Sequence, residues 1–372
     1  ALIKGLIQSG AKIDLLTIPA LKIHPFYDDP TNILDGKNKK INVILLNQNS
    51  MYSSMVESND NFLGKIKKKL LPSMRYIYHS LSLFDNTIYL ARKINKSVLQ
   101  NKYYDFIISS SDPKSSHVAT HQLIKAGIKY GKWIQYWGDP LTIDITKKSI
   151  YPKFYVRKIE KRIFSCVDKI VYVSPLTLEE QIHLFPDYSN RMTFIPIPYI
   201  QEKHYPHLEK RSNEINIGYF GDYDSSIRDI LPLYNLCKNN DIKLIIAGNS
   251  NLRLKNTNNI QVLPRIAVKQ IEKLEAQCDI LVCILNKYGT QIPGKLYHYA
   301  ATNKPIIVIL DGDKKEVIRN YLKKFNRYVL CENSEESIKN AIVNIRLSNQ
   351  EYKPSPFFKP EAIANQVINF NE

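Results

Sequence analysis

Ten short runs of consecutive apolar residues set the strongest constraint on how this chain folds. They are apolar at consecutive rather than alternating positions, which is typical of strands buried on both faces of a parallel sheet. Helical patterns lie between many of them and predict βαβ units. The runs are IDLLTI (13–18), INVILL (41–46), YDFIIS (104–109), KWIQY (132–136), DKIVYV (168–173), INIGYF (215–220), IKLIIA (242–247), IQVL (260–263), DILVCI (279–284) and PIIVIL (305–310).

A stretch without clear period, residues 194–214, separates the runs into two sets. It has 3 prolines and many charges, as interdomain linkers do. With 372 residues the chain is long enough for two domains. We therefore predict an α/β protein with two doubly wound parallel-sheet domains, over 1–200 and 213–350. An amphipathic helix within 351–372 follows, and the pattern allows it to pack back toward the N-terminal domain. Because Ala1 begins inside a helical pattern, we expect the first strand of the N-terminal domain to be missing.

The composition limits the cellular compartment and the binding partners that can be expected for this protein. No apolar run reaches the roughly 18 residues of a membrane-spanning helix, and no signal peptide opens the sequence. The 5 cysteines are scattered without a C-x-x-C pair, which favours buried free thiols in a reducing cytosol. The net charge of +17 indicates an anionic partner, such as nucleic acid, anionic lipid or a phosphorylated small molecule, or serves solubility alone.

The segment INIGYFGDYDSSIRDILPLYNLCKNN, residues 215–240, is the first candidate site, and it contains GYFGDYDSSIRD, residues 218–229. Glycines after a buried strand let the backbone approach a ligand, and the next helix start favours an anion. We expect Ser225 or Ser226 to cap that helix and Arg228 to lie in its first turn. A cation there opposes the helix dipole, which an anionic ligand would offset. The alternative is a tight turn with a surface arginine. The pattern is neither G-x-G-x-x-G nor a P-loop, so it does not indicate the usual NAD or ATP sites.

The second candidate is LNKYGTQIPGKLYHYAATNKPIIVIL, residues 285–310, in which the loop YGTQIPGK follows the strand run DILVCI. Gly289 and Gly294 free the backbone, and Lys295 lies near a predicted helix start, where a phosphate would be stabilised. His298 follows one turn later. The alternative for His298 is an ordinary core or surface histidine.

These segments give the chain a resemblance to a known family. PGKLYHYAATNKPI (293–306) resembles the P-S-K-L-x-E-Y-x-A-x-G-K-P-I stretch of nucleotide-sugar glycosyltransferases of the GT-B fold, most like family 4, which includes many bacterial polysaccharide enzymes. GYFGDYDSSIRD looks like the glycine loop of that family and its downstream arginine. Residues 157–182 and 262–284 are similar to further parts of the pattern, so the resemblance covers nearly the whole chain.

The resemblance implies a GT-B fold, with two Rossmann-like domains facing across a cleft, and transfer of a sugar from a nucleoside diphosphate, for which we expect UDP. It implies that Lys295 and Arg228 neutralise the diphosphate, so that no metal ion is needed, and it favours retention over inversion. The nucleotide-sugar is a co-substrate, and no other cofactor is implied. The expected donor-binding residues are Gly221, Asp222, Arg228, Arg265, Ile266, Thr290, Gln291, Ile292, Lys295, Leu296 and His298.

The chain departs from the family pattern at two positions. A glutamate that binds the nucleotide ribose is replaced by His298, and a second glutamate eight positions earlier is replaced by Thr290. Imidazole can still hydrogen-bond a ribose hydroxyl. The loss of both carboxylates leaves two readings open: an active transferase, or a catalytically silent GT-B protein that binds a sugar-nucleotide or a partner enzyme. A sugar-nucleotide epimerase is a third reading, but its acid–base residues cannot be placed.

The N-terminal domain is expected to bind the acceptor. In YWGDP (136–140), Asp139 is the candidate to contact the acceptor or assist proton transfer, and Trp137 to stack on a sugar ring. His117 is a weaker candidate beside Ser115 or Ser116, either of which can cap the next helix. The alternatives are a turn aspartate for Asp139, core packing for Trp137 and a helix-start residue for His117.

Two basic amphipathic stretches, 61–78 and 153–167, help to decide which of the partners allowed by the net charge is expected. In the second, Val156, Ile159 and Ile163 share a face, with basic residues largely off it, a pattern that suits an anionic membrane surface. The alternative is a solvated helix face. No recognised nucleic-acid module is present, so nucleic acid is not expected. We therefore expect a cytoplasmic protein, peripheral at the inner face of the plasma membrane, with a glycan or lipid-linked acceptor in capsule, O-antigen or similar polysaccharide assembly.

Overall fold

A computed structural model describes residues 1–18, 40–46, 83–85, 87–94, 96–99, 102–145, 150–206, 215–240, 242–348 and 350–369, and every structural statement below concerns these. The chain forms two compact units. The C-terminal unit comprises Ala1–Gly5 and Pro196–Ala364, and the N-terminal unit comprises Leu6–Ile195 and Asn365–Glu372. The division falls at the start of the predicted linker, and the C-terminal tail is shared between both units.

The N-terminal unit is built on a parallel sheet of four strands in the order β3-β4-β5-β6, with a separate parallel pair β1-β2. Its core packs Trp133 and Trp137 of β4 against Phe164, whose ring also meets Phe185. In chain order its elements are α1 (Leu2–Gln8, which begins in the C-terminal unit), β1 (Ile13–Thr17), β2 (Ile41–Leu45), α2 (Ile88–Lys93), β3 (Tyr103–Ser110), α3 (Ser115–Lys125), β4 (Lys129–Trp137), α4 (Lys153–Ile163), β5 (Lys169–Tyr172), α5 (Pro175–Leu184) and β6 (Met192–Phe194), with 3₁₀ turns at Lys96–Leu99 and Pro186–Arg191.

The C-terminal unit is built on six parallel strands in the order β12-β11-β10-β7-β8-β9. Its elements are β7 (Ile215–Phe220), α6 (Leu231–Lys238), β8 (Ile242–Ala247), β9 (Ile260–Leu263), α7 (Val268–Gln277), β10 (Ile280–Ile284), α8 (Lys295–Tyr299), β11 (Ile306–Leu310), α9 (Lys315–Lys323), β12 (Val329–Glu332), α10 (Glu335–Leu347), a 3₁₀ turn (Pro356–Phe358) and α11 (Pro360–Ile368), which ends in the N-terminal unit.

The strand order places a topological switch point between β7 and β10. The chain moves outward from β7 through β8 to β9, then returns to β10 and moves outward the other way through β11 to β12. At such a point the loops after the two central strands diverge and leave a crevice at the carboxyl edge of the sheet. β10 and β11 are buried along their whole length, as their uninterrupted apolar sequences predict.

All ten strands predicted from the sequence are confirmed, with ends that differ by at most a few residues. Two strands were not predicted from the sequence, β6 and β12, which have three and four residues and lie at sheet edges. The helix after β3 was predicted correctly, but its cap was not. Neither Ser115 nor Ser116 caps it; instead Asp85 accepts hydrogen bonds from the backbone amide and hydroxyl of Ser115, at 2.9 and 2.6 Å.

Four of the five cysteines, Cys237, Cys278, Cys283 and Cys331, are buried free thiols, as predicted, while Cys166 is exposed. Burial raises the pKa of each of the four buried thiols, which keeps them protonated. Across the described residues, no helix combines the length and the apolar character that crossing a bilayer requires.

We expect Gly248→Ala to destabilise the protein. A Cβ at Gly248 would lie 2.0 Å from the carbonyl oxygen of Gly221, and this backbone contact cannot yield as a flexible side chain would. Overpacking of this kind typically costs about 1–3 kcal/mol, and each kcal/mol lowers the melting temperature by roughly 2–4 °C in a unit of this size. Thermal unfolding of the full chain measures the change.

Gly221→Ala is the matched control on the other side of the same contact. Its Cβ would meet only the Tyr219 side chain, at 3.7 Å. The control should therefore unfold close to the wild-type temperature. An equal decrease in both variants would contradict the steric argument.

Candidate functional site

Three loops extend from the carboxyl edge of the C-terminal sheet, near the switch point. Residues 221–230 follow β7, residues 264–267 follow β9 and residues 285–294 follow β10. Gly289 has a φ of 87°, a left-handed conformation that glycine adopts without strain. The loops therefore place side chains from distant parts of the sequence at one edge.

Arg228 is fixed at this edge by neutral oxygen atoms. Its Nε donates to Asn286 Oδ1 at 2.7 Å, and its Nη1 donates to the carbonyl of Asp222 at 3.3 Å. Asn286 in turn donates from Nδ2 to the carbonyl of Gln291 at 3.2 Å, so it joins the arginine to the loop after β10. Within the described part of the chain, Arg228 has no carboxylate partner, and its charge is available to a ligand.

The predicted local structure around Arg228 is wrong in one respect. The helix begins at Leu231 rather than at Ser225 or Ser226, so Arg228 precedes it instead of lying in its first turn. Asp224 accepts from the amide of Ser226 at 2.8 Å and from its hydroxyl, which holds the segment in a turn. The mismatch between Arg228 and the helix dipole therefore does not exist.

Lys295 is the first residue of α8, as predicted, and is mostly buried. Its Nζ lies 5.9 Å from the ring centroid of Tyr299, and it has no ion pair among the described residues. Burial lowers the pKa of Lys295, opposed by the charge of Glu275 and assisted by the nearby cation Lys203. A bound anion would stabilise this ammonium group, because it would offset the lost solvation.

Arg228 and Lys295 lie close enough to act on the same buried group. The pKa of the Cys283 thiol in β10 is raised to about 12 by burial, and both cations oppose that shift. Arg265 also contributes to the electrostatic field at Lys295. The carboxyl edge thus has a concentrated positive potential.

The rim of the site holds ion pairs that tie the loops together. Arg265 pairs with Asp222 at 3.3 Å, and Asp222 also accepts from the amide of Asn249 at 2.8 Å. Lys287 pairs with Asp229 at 3.2 Å. Because such exposed pairs add at most about 1 kcal/mol each, we assign them a positioning role.

Asn286 and Lys287 lie in the second candidate segment, but neither was predicted to be a site residue. The signal was present, since both lie just beyond the carboxyl end of β10, where ligands of parallel sheets bind. Asparagine in a loop has no charge that would single it out, and only the bond to Arg228 reveals its role.

The remaining expected donor residues divide into edge and core positions. Gly221, Asp222, Arg265 and Ile266 lie in loops at the carboxyl edge, and Gln291 is half-buried. Thr290, Ile292 and Leu296 are buried, and Leu296 has 0% exposure, so its side chain belongs to the core. The amide of Thr290 already donates to the side chain of Gln291, at 3.3 Å.

His298 lies on α8, one turn beyond Lys295, and is largely buried. Burial lowers its pKa to about 4, and the charges of Lys295 and Lys203 act in the same direction. The imidazole is therefore neutral at physiological pH, with one nitrogen that donates and one that accepts. A neutral ring suits a hydroxyl partner.

The residues expected to bind the acceptor have different environments in the N-terminal unit. Trp137 has 0% exposure and stacks on His117 with ring centroids 4.0 Å apart. His117 is also fully buried and pairs through Nδ1 with the hydroxyl of Ser109 at 2.8 Å. In this structure Trp137 is a core residue, the alternative left open by the sequence, and neither ring has a surface on which a sugar can stack.

Asp139 is the expected acceptor residue with an accessible side chain. It is half-buried, immediately beyond the carboxyl end of β4, and contributes to the field at Lys114. Lys114 is buried and pairs with Asp144 at 2.6 Å. Glu160, fully buried, accepts from the amides of Leu141 and Thr142 at 3.2 and 2.9 Å. The loop that contains Asp139 is thus held at several points.

The described residues contain no group of three or more His, Cys, Asp or Glu side chains arranged to hold a metal ion.

Comparison with known proteins gives a match in structure alone. No protein-family model matches the chain, and no curated protein matches it in sequence. Sucrose-phosphate synthase from Thermosynechococcus elongatus has 14% identity and a TM-score of 0.56, over 98% of this chain and 90% of that chain. Anabaena HepE, solved in complex with UDP and glucose, has 11% identity and a TM-score of 0.52, over 96% of each chain. A glycosyltransferase from Rickettsia africae has 16% identity and a TM-score of 0.52, over 99% of this chain and 88% of that chain.

The fold is GT-B. The two parallel-sheet units agree with that architecture, and the fold predicted from the sequence is confirmed. At these identities the likeness concerns the GT-B fold itself. The activity must be argued from the residues at the site.

We expect the stability of the protein to depend on pH through His298. The unfolded chain binds a proton at this ring near pH 6.5, whereas the folded protein does so only near pH 4. Between these values the unfolded state holds more protons, so the free energy of unfolding decreases as the pH falls. His298→Gln should remove up to about 1.4 kcal/mol per pH unit from that slope.

Urea unfolding at several pH values between 4.5 and 7 measures the two slopes. The other histidines are common to both proteins, so the difference isolates His298. Parallel curves for the wild type and His298→Gln would show that the ring is not kept neutral by folding.

Proposed function

We propose that this chain is a glycosyltransferase that moves a sugar from a nucleoside-diphosphate sugar, with UDP as the nucleotide. The observation on which this rests is the pair Arg228 and Lys295 at the switch point of the C-terminal sheet. Both are basic, both lie at the carboxyl edge, and neither has a carboxylate partner among the described residues. Two such cations match the charge of a diphosphate.

The chemistry follows from the charge that develops during transfer. When the bond from the sugar to the diphosphate breaks, the leaving group gains negative charge. Cations placed in advance stabilise that charge at little reorganisation cost. Arg228 is held by Asn286 and by the Asp222 carbonyl, so its guanidinium is oriented before a donor arrives. With two protein cations in these roles, we propose that transfer proceeds without a metal ion.

We assign the nucleoside to the other loops of the same edge. The neutral imidazole of His298 would contact the ribose hydroxyls, and backbone groups at Arg265 and Ile266 would contact the base. UDP is supported by the solved complex of HepE with UDP and glucose, which has the same fold. Retention of configuration and a role for Asp139 at the acceptor remain proposals from the family resemblance and from the accessible position of Asp139 after β4.

A second candidate is a GT-B protein that binds a sugar-nucleotide without turning it over. His298 and Thr290 stand where the resembling family has carboxylates, and this favours the second candidate. Arg228 and Lys295 favour activity. The two candidates predict equal nucleotide binding and differ only in donor hydrolysis or transfer.

We expect Arg228→Ala and Lys295→Ala each to weaken UDP and UDP-sugar binding about tenfold or more. A charge-assisted hydrogen bond contributes roughly 1.5–3 kcal/mol, and tenfold corresponds to about 1.4 kcal/mol. Calorimetry with UDP and with a panel of UDP-sugars measures the affinity, and circular dichroism checks the fold. Lys339→Ala, an exposed lysine on α10, is the matched control and should bind as the wild type does.

Unchanged affinity in both variants would refute the assignment of the donor site. Tight binding of UDP-sugars without release of UDP, in the presence or absence of acceptors, would instead select the second candidate. The binding and turnover measurements therefore separate the location of the site from its activity.

We further propose a glycan or lipid-linked acceptor at an anionic membrane surface, as in the assembly of capsule or O-antigen. The predicted stretch 61–78 lies outside the described residues. The apolar face predicted for 153–167 does not face a membrane, because Ile163 lies in the core of the N-terminal unit, Ile159 packs against it and Val156 is buried. The exposed apolar side chains in and just before this stretch are instead Ile150, at 63% exposure, Phe154, at 75%, and Tyr155, at 39%.

Phe154 shares its helix face with basic residues three and four positions later, Arg157 and Lys158. An exposed aromatic ring beside basic side chains suits the interface of an anionic bilayer. Each basic residue close to such a surface contributes roughly 1 kcal/mol, and the attraction decreases with salt.

We expect Phe154→Ser and Lys158→Glu combined with Arg162→Glu each to reduce sedimentation with vesicles that contain anionic lipid. Wild-type binding should require the anionic lipid and decrease as salt increases. Leu347→Ser, at 78% exposure in the C-terminal unit, and the pair Lys323→Glu with Lys339→Glu are the controls for exposed apolar area and net charge. Equal sedimentation with neutral vesicles, or an equal loss in the controls, would contradict membrane binding and would indicate that the net charge of +17 serves solubility alone.

A further inference from the structure

One position on the buried face of α4 is occupied by a carboxylate. Val156, Glu160 and Ile163 follow one another at the spacing of a single helix face, and all three are buried. Glu160 has 0% exposure. A buried carboxylate is costly unless it is hydrogen-bonded, so a glutamate between two core residues calls for donors nearby.

The donors come from the loop after β4. Glu160 Oε1 accepts from the amide of Leu141 at 3.2 Å, and Oε2 accepts from the amide of Thr142 at 2.9 Å. The hydroxyl of Thr142 donates to Oε2 as well. Both oxygens of one side chain therefore hold two consecutive residues of this loop.

The same loop is held at both ends by the turn between β3 and α3. The amide of Gly138 donates to the hydroxyl oxygen of Ser111 at 2.8 Å. Asp144 pairs with Lys114 at 2.6 Å, and both side chains are less than a tenth exposed. These two anchors come from one short turn, whereas the anchor at the middle of the loop comes from α4. The loop is therefore fixed against two separate elements.

Asp139 lies between the first and the middle anchor. It follows Gly138 directly, and Pro140 separates it from Leu141. Proline fixes its own φ and restricts the residue before it. The backbone at Asp139 therefore has little freedom while both neighbouring positions are anchored. The place of its carboxylate depends on hydrogen bonds that its neighbours make.

We propose that Glu160 is a positioning residue: by holding the middle of the loop after β4, it sets where Asp139 lies. The consequence for sugar transfer rests on the proposed function, in which Asp139 acts at the acceptor. The hold on the loop does not rest on it, because it concerns hydrogen bonds within the N-terminal unit.

Glu160→Gln tests these hydrogen bonds with little change in size. Glutamine has one acceptor oxygen where glutamate has two, so its NH2 group must face one of the loop donors. Burial raises the pKa of Glu160 to about 7, against the effects of its hydrogen bonds with the loop and of the charge of Lys114. Because the side chain is only partly charged at neutral pH, the substitution alters hydrogen bonding more than net charge.

Hydrogen exchange of the full chain measures the hold on the loop, with mass spectrometry of peptides that contain residues 138–144. We expect the amides of Leu141 and Thr142 to exchange about tenfold faster, or more, in Glu160→Gln than in the wild type. Where Glu160→Gln does not fold, Thr142→Val replaces it. This variant removes one hydroxyl contact at a half-buried position and should accelerate exchange severalfold.

Asp168→Asn is the matched control for exchange. Asp168 also accepts from a backbone amide of β4, that of Trp133 at 2.8 Å, but it precedes β5 and so lies at the amino end of that strand. The loop peptides of this control should exchange at the wild-type rate.

A double-mutant cycle in donor hydrolysis tests whether Glu160 acts through Asp139. Here water is the acceptor: its oxygen bonds to the sugar, the bond from the sugar to UDP breaks, and the water gives up a proton to Asp139 or to solvent. With the UDP-sugar selected by calorimetry, Glu160→Gln should lower kcat roughly tenfold and leave KM unchanged, since misplacing a reacting group by about 1 Å can cost on the order of 100-fold. Asp139→Asn should also lower kcat, and the double variant should lose no more than Asp139→Asn alone.

Three outcomes would overturn the proposal. They are exchange at the wild-type rate in whichever of Glu160→Gln and Thr142→Val folds, an equal acceleration in Asp168→Asn, and additive losses of kcat in the double variant. If no UDP-sugar is bound or hydrolysed, the proposed function fails and the exchange measurement alone decides whether Glu160 holds the loop.

Discussion

The hydrogen bond from Arg228 to Asn286 joins the two loops on which the site depends. One loop leaves β7 and leads toward β8, and the other leaves β10 and leads toward β11 on the opposite side. Strand order alone would leave these loops divergent. A guanidinium between them satisfies the amide of Asn286 and the carbonyl of Asp222, and it also presents charge at the crevice. One residue thus shapes the edge and gives it its electrostatic character.

Burial determines what each charged group near the sheet can do. Lys295 loses solvation at the start of α8 and gains no ion pair within the described chain, so its charge is destabilised unless an anion arrives. Lys114 in the N-terminal unit is also buried, but Asp144 at 2.6 Å compensates it. The comparison separates a lysine that completes a structural pair from one that is suited to binding. Sequence position does not distinguish them, since each lies at the start of a helix that follows a strand.

The strands were predictable because a strand that is buried on both faces is apolar at consecutive positions of the sequence. β10 and β11 are apolar at every position and were assigned almost residue by residue. β6 and β12 were not predicted because short edge strands bury less apolar surface and have sequences that mix polar and apolar residues.

At the site, Arg228 and Lys295 were predicted because each is a basic residue near a glycine-bearing loop. Asn286 was not predicted. The start of α6 was predicted too early, because Asp224 accepts a hydrogen bond from the amide of Ser226 and holds the segment in a turn rather than a helix. The two serines alone do not distinguish a turn from a helix start. The burial of Trp137 and His117 depends on packing between elements, which periodicity in a single chain does not report.

The chain passes between the two units three times, after Gly5, after Ile195 and after Ala364. Neither unit is therefore one continuous piece of the gene product. Gly5 lies so close to Pro360 that a Cβ there would be 1.9 Å from the carbonyl oxygen of Pro360, so two segments more than 350 positions apart in the sequence meet within the C-terminal unit. A truncation at residue 195 would strip Ala1–Gly5 from the unit in which they pack and leave residues from Asn365 onward without theirs. Isolating the C-terminal unit requires a circularly permuted or spliced gene in which the codons for residues 1–5 are rejoined to those for residues 196–364.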